Sequence, residues 1–123
     1  MITLYGIPNC DTVKKARAWL AERGTSHAFH DFKKHGVPAA ELARWADAVG
    51  WESLLNRKGT TWRKLAPADQ AAVKDSTSAQ ALMQAQTSVI KRPVVDWGDG
   101  DLTVGFDPEA WGKRTSSRTN RTD

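Results

Sequence analysis

The stretch MITLYGIPNCDTVKKARAWL, residues 1–20, decides the fold. Ile2 to Tyr5 is rich in strand-forming residues and is followed by two turn signals, Gly6 and Pro8. Apolar residues then recur at helical spacing to the end of the stretch. The pattern predicts a short strand, a tight turn and a helix. Cys10 lies at the junction between the turn and the helix.

Cys10 is the single cysteine of the chain, which excludes an internal disulfide and a cysteine-rich zinc site. We predict Asn9 as the N-cap and Cys10 in the first helical turn, where unpaired N–H groups and the helix dipole favour the thiolate. Lys14, one turn further on the same face, adds a cation, whereas Asp11 opposes a second negative charge. Two interpretations remain: a small buried hydrophobe or a reactive thiol with a lowered pKa.

The segment Cys10-Asp11-Thr12-Val13 has a valine where a C-x-x-C motif has its second thiol. Because no other cysteine exists, Cys10 cannot form an intramolecular disulfide. If Cys10 performs thiol chemistry, the resolving thiol comes from outside: glutathione, a glutaredoxin-type partner or another protein.

Lys91-Arg92-Pro93 is the second candidate site. The proline either begins an edge strand or forms a cis bond that brings its loop against the Cys10 turn and points Arg92 at the thiolate. An arginine binds oxyanions and carboxylates with its planar fork. Arg57, in a loop that ends at Gly59, is a further candidate cation, although most loop arginines are solvated.

The rest of the chain predicts a β-α-β unit, a helical block and a β-β-α unit. The second strand covers His27 to Phe32, and the helical block covers residues 38–87. A third strand begins after Pro93, turns at Gly98-Asp99-Gly100 and returns as a hairpin, before a short final helix from Pro108 to Trp111. A β-α-β unit implies a parallel crossover, so we expect an α/β fold with a mixed four-stranded sheet covered by helices.

Length and charge set limits on organisation and partners. The 123 residues predict one domain over 1–113 and a disordered basic tail over 114–123. Residues 113–123 carry four cations and one anion, a net +3 of the total +4, so nothing in the body predicts nucleic-acid binding. No apolar run approaches the ~18 residues that cross a bilayer. We expect a cytoplasmic monomer with no secretory signal.

The histidines do not predict a metal site. His27 and His30 are three residues apart on a predicted strand, so they face opposite sides of it. His35 falls in a predicted loop. We therefore expect no bound metal and no resident cofactor.

Four motifs carry a resemblance to a known family, and they are ITLYGIPNCDTVKKARAWL (2–20), GWESLLNRKGTTWRKL (50–65), SVIKRPVV (88–95) and VGFDPEAW (104–111). Together they resemble the arsenate reductase (ArsC) family of thioredoxin-fold proteins. The likeness is greatest to the YffB-like branch, with the Spx-type transcription regulators more distant. The resemblance implies a thioredoxin-like sheet with a helical insertion over about 38–87.

The resemblance also implies roles for particular residues. Cys10 is at the position of the family's nucleophile. Arg92, before a cis Pro93, and Arg57 are at the positions of arginines that bind the oxyanion or the substrate thiol. Lys14 is where the family often has a basic residue. Asn9, next to the cysteine, completes the substrate-binding candidates.

Two departures from the family pattern favour glutathione over arsenate as the substrate. Asp107 replaces a third arginine, and a histidine of the catalytic loop is replaced near Gly6. Exchanging a cation for an anion weakens the binding of a doubly charged oxyanion. The resemblance thus implies an oxidoreductase, a glutathione-dependent monothiol reductase resolved by glutathione or a glutaredoxin-type donor. The alternatives are an arsenate reductase using the same donors and a non-enzymatic, Spx-like protein that binds RNA polymerase.

Overall fold

The fold is built on one mixed sheet. The computed structural model describes residues 2–121, with side chains described up to Arg114. The strands are β1 (Ile2–Gly6), β2 (His27–Asp31), β3 (Val94–Asp96) and β4 (Leu102–Val104). They lie in the order β2-β1-β3-β4, with β1 and β2 parallel and the other pairs antiparallel. The predicted mixed four-stranded sheet is confirmed.

The helices divide into two flanking helices and an insertion. The first, α1, follows β1, and α8 ends the described chain. The remaining helices and one 3-10 turn lie between β2 and β3. Their bounds are α1 (Asp11–Glu22), α2 (Phe32–His35), α3 (Ala39–Val49), α4 (Trp51–Leu54), α5 (Thr60–Arg63), α6 (Pro67–Ala71), α7 (Ser76–Ala85), the 3-10 turn Thr87–Val89, and α8 (Pro108–Arg121).

Strand β3 lies inside the sheet, between β1 and β4. The interpretation of Pro93 as the start of an edge strand is therefore wrong. Pro93 is tolerated because it precedes the paired residues of β3. The first pairs of this strand are those of Val94 with Tyr5 and Val104, so the missing N–H of the proline removes no strand pairing. Val94 and Val95 are both fully buried, as expected for a strand covered on both faces.

Two hydrophobic cores lie on opposite sides of the sheet. Successive strand residues point to opposite faces, so Val95 packs with α1 and α8, and Val94 packs with the insertion. The first core contains Ile2, Leu4, Val13, Ala16, Leu20, Val95, Trp97 and Trp111. The second includes Phe32, Leu42, Trp45, Leu54, Met83, Ile90 and Val94. Each core binds one set of helices to the same strands, so the sheet positions both ends of the site described below.

Two element ends differ from the sequence prediction. Strand β2 stops at Asp31 and not at Phe32, because the Asp31 carboxylate accepts hydrogen bonds from Lys33 N–H and Lys34 N–H and starts α2. The last helix does not stop at Trp111. Its backbone continues to Arg121, since no proline or glycine follows Gly112 to end it. The domain boundary at 113 stays a prediction, and residues 122–123 lie outside the described part.

Residues 2–121 contain neither a membrane-spanning helix nor a cluster of metal-ligating side chains. None of their helices combines the length and apolar character needed to cross a bilayer. Nor do three or more His, Cys, Asp or Glu side chains in this range gather as they would around a metal ion.

Close packing joins the end of β1 to the start of α1. A Cβ placed on Gly6 would lie 2.7 Å from Cγ2 of Val13, a residue with no solvent exposure. Real Cβ atoms essentially never approach another atom so closely. Position 6 therefore excludes every side chain, including the histidine that the resemblance suggested for this region, as long as Val13 fills the space.

We predict that Gly6→Ala destabilises the protein by about 1–3 kcal/mol, because the new methyl group overpacks against Val13. In the double variant with Val13→Ala, the loss should be smaller than the sum of the single losses. Urea unfolding measures both. Gly112→Ala is the matched control, since a Cβ there meets no atom within 4 Å. Additive losses in the double variant would contradict the contact.

Candidate active site

Cys10 caps the first helix. Its N–H donates to Ile7 O at 3.1 Å, which closes the turn, and its carbonyl accepts from Lys14 N at 2.9 Å, which begins the helix. Cys10 is thus the N-cap, with extended backbone angles. The prediction of Asn9 as the N-cap is wrong by one residue, because the turn consumes Pro8 and Asn9 before the helix starts. The shift places the sulfur directly at the helix entrance.

A short pairing of two loops builds the opposite wall. Asn56 N–H donates to Val89 O at 2.8 Å, and Lys91 N–H donates to Leu54 O at 2.6 Å. Leu55 and Ile90 form an antiparallel bridge between these bonds. The end of α4 is therefore tied to the segment that leads into β3. The Arg92-Pro93 peptide bond at the end of that segment is cis.

These elements enclose a cleft of about 360 Å³. Cys10 and Arg92, the two groups that the sequence placed at the centre of the chemistry, both line it. The cleft is lined by Cys10, Thr12, Asn56, Lys91, Arg92, Gly105 and Phe106. It thus combines a thiol, two cations, an amide and an aromatic ring.

Arg92 is held in place by backbone carbonyl groups. Its Nη1 donates to Ser88 O at 2.9 Å and to Ile90 O at 3.4 Å. Its Nε is buried and has no hydrogen-bond partner among the described residues. The guanidinium is therefore fixed by its own loop and brings its positive charge to the cleft.

The surroundings of Cys10 lower the pKa of its thiol. Burial acts first and raises the pKa, but the N–H of Val13, the Arg92 guanidinium and the N–H of Thr12 together outweigh it. The side chain makes no cap hydrogen bond of ordinary geometry. The N–H groups and Arg92 nevertheless lie near enough to stabilise a negative sulfur more than a neutral one. Cys10 is half-buried, so the sulfur stays reachable.

The other predicted site residues lie outside the lining of the cleft. Arg57 is exposed, with its guanidinium carbon 5.6 Å from the centre of the Trp51 ring and 5.9 Å from that of Trp62. Lys14 is exposed on α1 and lines a separate depression. Asn9 is an exposed turn residue. Pro93 is buried behind Arg92, and its carbonyl accepts from Gly105 N at 2.9 Å.

Asp107 has a structural task in this chain. Its Oδ1 accepts a hydrogen bond from Ala110 N at 3.2 Å, and its carbonyl accepts from Trp111 N at 2.9 Å. It therefore caps α8. Asp107 is exposed, and it is not among the residues that line the cleft, although its neighbour Phe106 is. The position where the resemblance led us to expect an arginine is thus occupied by a helix-capping aspartate outside the cleft lining.

Sequence reasoning missed several cleft residues. They are Thr12, Asn56, Gly105 and Phe106. Thr12 is a sequence neighbour of Cys10, and this proximity was the available signal. Asn56 had none, because its place depends on the pairing of two loops far apart in the chain. Lys91, which the sequence placed in the second candidate site without a role, lines the cleft.

Comparisons with known proteins identify the family. The sequence matches the ArsC family over residues 5–114. The chain belongs to the ArsC family. A solved structure named YFFB protein has 47% identity and a TM-score of 0.86, and the match covers 92% of this chain and 97% of that one. An arsenate reductase (ArsC) related protein from Brucella melitensis has 52% identity and a TM-score of 0.72, with 89% and 90% covered.

Curated relatives extend the likeness in two directions. A protein of Haemophilus influenzae described as uncharacterized is 38% identical over 111 residues, which cover 90% of this chain and 96% of the relative. The global transcriptional regulator Spx of Streptococcus agalactiae is 26% identical over 98 residues, which cover 77% of this chain and 69% of the regulator. The predicted YffB and Spx branch of the family is confirmed.

The lowered pKa of Cys10 predicts a pH-dependent contribution to stability. A thiol with a folded pKa below its unfolded value of ~8.5 adds stability that is complete above the unfolded pKa and lost as pH falls through the folded pKa. The free energy of unfolding of wild type minus that of Cys10→Ser should therefore rise with pH across this window. Urea unfolding from pH 5 to about pH 9.5 measures it. A difference that is flat with pH would contradict the thiolate assignment.

Proposed function

We propose that this ArsC-family chain is a thiol-dependent oxidoreductase, and specifically a glutathione-dependent monothiol reductase with Cys10 as its nucleophile. The observation that carries the proposal is the placement of the single cysteine at a helix N-cap, in a cleft with Arg92 and Lys91. A thiolate is the reactive form of cysteine, and cations and helix N-termini favour it.

The proposed chemistry uses two exchanges of sulfur. The Cys10 thiolate attacks the glutathione sulfur of a mixed disulfide R–S–SG. A Cys10–SG bond forms, the old S–S bond breaks, and R–S⁻ leaves with the electron pair and takes a proton from water. A glutathione thiolate then attacks the glutathionyl sulfur of Cys10–SG and releases oxidised glutathione and the Cys10 thiolate. The net reaction transfers two electrons from glutathione to R–S–SG.

The second exchange depends on an external thiol because Val13 replaces the second cysteine of a C-x-x-C motif. Val13 is fully buried against Gly6, so the position is part of the core. Glutathione or a glutaredoxin-type protein suits the step, since each provides a thiol that can enter an open cleft. Glutathione also has two carboxylates, which match the cations beside Cys10.

Treatment of the folded protein with oxidised glutathione at neutral pH tests the proposal. We expect one glutathione adduct on Cys10, detected by intact and peptide mass spectrometry and removed by reduced glutathione. Cys10→Ser is the control and should stay unmodified. An unmodified Cys10 in folded wild type would remove the proposal.

Arsenate reduction is a second candidate, favoured by the 52% identical Brucella protein described as arsenate reductase related. It would use the same thiolate and the same external donors. Arg57 and Asp107 are both outside the cleft lining, so Arg92 and Lys91 are the cations that line it. A doubly charged oxyanion then has less compensating charge than a site with further arginines would give it. A coupled assay with glutathione and glutaredoxin distinguishes the two through arsenite formation above the uncatalysed background.

A regulator that binds RNA polymerase is a third candidate, in a different class, favoured by the Spx relatives. Val13 replaces the second thiol that a C-x-x-C redox switch requires, which weighs against a regulator controlled by a disulfide within this motif. Stoichiometric polymerase binding by both wild type and Cys10→Ser in a pull-down would favour this candidate over the reductase.

A further inference from the structure

We propose that Lys91 is the residue that recognises a carboxylate of the thiol substrate, while Arg92 acts on the Cys10 sulfur. The inference rests on the proposed function and divides the two adjacent cations by task. Both line the same cleft, but their surroundings differ. The proposed substrate class is an anionic thiol or disulfide, such as a glutathione disulfide, whose carboxylate can reach Lys91 while its sulfur meets Cys10.

Arg92 is committed within the protein. Two carbonyl groups of its own loop accept from its Nη1, and its charge acts on Cys10 by lowering the pKa of the thiol. Lys91 is absent from the groups that shift this pKa. A guanidinium anchored in this way has limited freedom to follow a substrate carboxylate.

Lys91 is uncommitted in the structure. Its side chain is exposed, and no carboxylate of the described residues lies within ion-pair distance of it. Its backbone is nevertheless fixed, since Lys91 N–H donates to Leu54 O at 2.6 Å. A flexible side chain on a fixed backbone is suited to bind a carboxylate at the mouth of the cleft.

Gly105 lies beside the Lys91 side chain. A Cβ on Gly105 would meet Cε of Lys91 at 3.6 Å, an ordinary van der Waals distance, so the lysine stem passes along the Gly105 backbone. Both residues line the cleft, which places the lysine stem at the cleft wall. Asn56 lines the same cleft, and its Oδ1 accepts a hydrogen bond from Lys58 N–H at 3.2 Å, which holds the side chain in its own loop.

The test compares two disulfides that differ in charge. Oxidised glutathione has carboxylates, and bis(2-hydroxyethyl) disulfide is neutral. We expect Lys91→Gln to lower the rate constant for modification of Cys10 by oxidised glutathione about fivefold at low salt, as for the loss of a partly exposed ion pair, and Lys91→Glu to lower it more. Neither variant should change the rate with the neutral disulfide more than about twofold.

Two controls separate the roles of the cations. Lys64→Gln removes an exposed lysine outside the cleft lining and should change neither rate. Arg92→Ala should slow the reaction of Cys10 with both disulfides, because the Arg92 charge stabilises the thiolate itself. Added salt should bring the wild-type rate with oxidised glutathione toward that of Lys91→Gln. Equal losses with both disulfides, or no loss with either, would overturn the assignment of Lys91.

Binding of S-methylglutathione keeps the inference separate from the redox proposal. This analogue has the same carboxylates and a blocked sulfur, so it reports recognition without exchange. Weaker binding to Lys91→Gln than to Lys64→Gln, measured by titration calorimetry or NMR, supports the inference even if no mixed disulfide forms. Equal binding to the two variants, or none to wild type, overturns it even if Cys10 is modified.

Discussion

The site depends on a short pairing between two loops, residues 54–56 and 89–91. Two backbone hydrogen bonds and one bridge connect the helical insertion to the segment before β3. The pairing brings Asn56 and Lys91 to one cleft and fixes the loop whose carbonyl groups hold Arg92. Leu54, Leu55, Val89 and Ile90 are all buried, so the second core stabilises the same junction.

The sheet connects this pairing of loops to Cys10. Strand β3 pairs with β1, and β1 leads through one turn to the helix that Cys10 caps. Gly6 packs against Val13 behind the turn. Cys10, the single cysteine of the sequence, lies at the helix entrance. Two opposing effects act on the Cys10 thiol. Burial disfavours the thiolate, while N–H groups and Arg92 favour it, and the net effect is a lowered pKa.

Much of the fold could be predicted from the sequence because its signals are local. Strand composition, the Gly98-Asp99-Gly100 turn and helical periodicity gave the β-α-β and β-β-α units, and sequence counting made Cys10 a thiol without a partner. The length of α8 was missed because its last turns have no apolar periodicity. The cap at Cys10 was missed by one residue, since turn and cap signals overlap at Pro8 and Asn9.

The cleft was harder to predict because its walls come from distant segments. Asn56 lines the cleft, whereas its neighbour Arg57 lies beside two tryptophan rings. No periodicity distinguishes two adjacent loop residues. The hydrogen bond from Asn56 N–H to Val89 O joins segments that are far apart in the chain, and a local pattern does not report it. Asp107 gives a similar lesson. A family position that suggested a charge in the site turned out to cap a helix.

The central claim is that the fold makes Cys10 a thiolate through Arg92 and the helix start. The most direct measurement is the pH dependence of Cys10 alkylation by iodoacetamide in wild type and Arg92→Ala. The account predicts a thiol pKa below the unperturbed ~8.5 in wild type and a higher pKa in the variant. A value near ~8.5 in both proteins would contradict it and return Cys10 to the class of unreactive, partly buried cysteines.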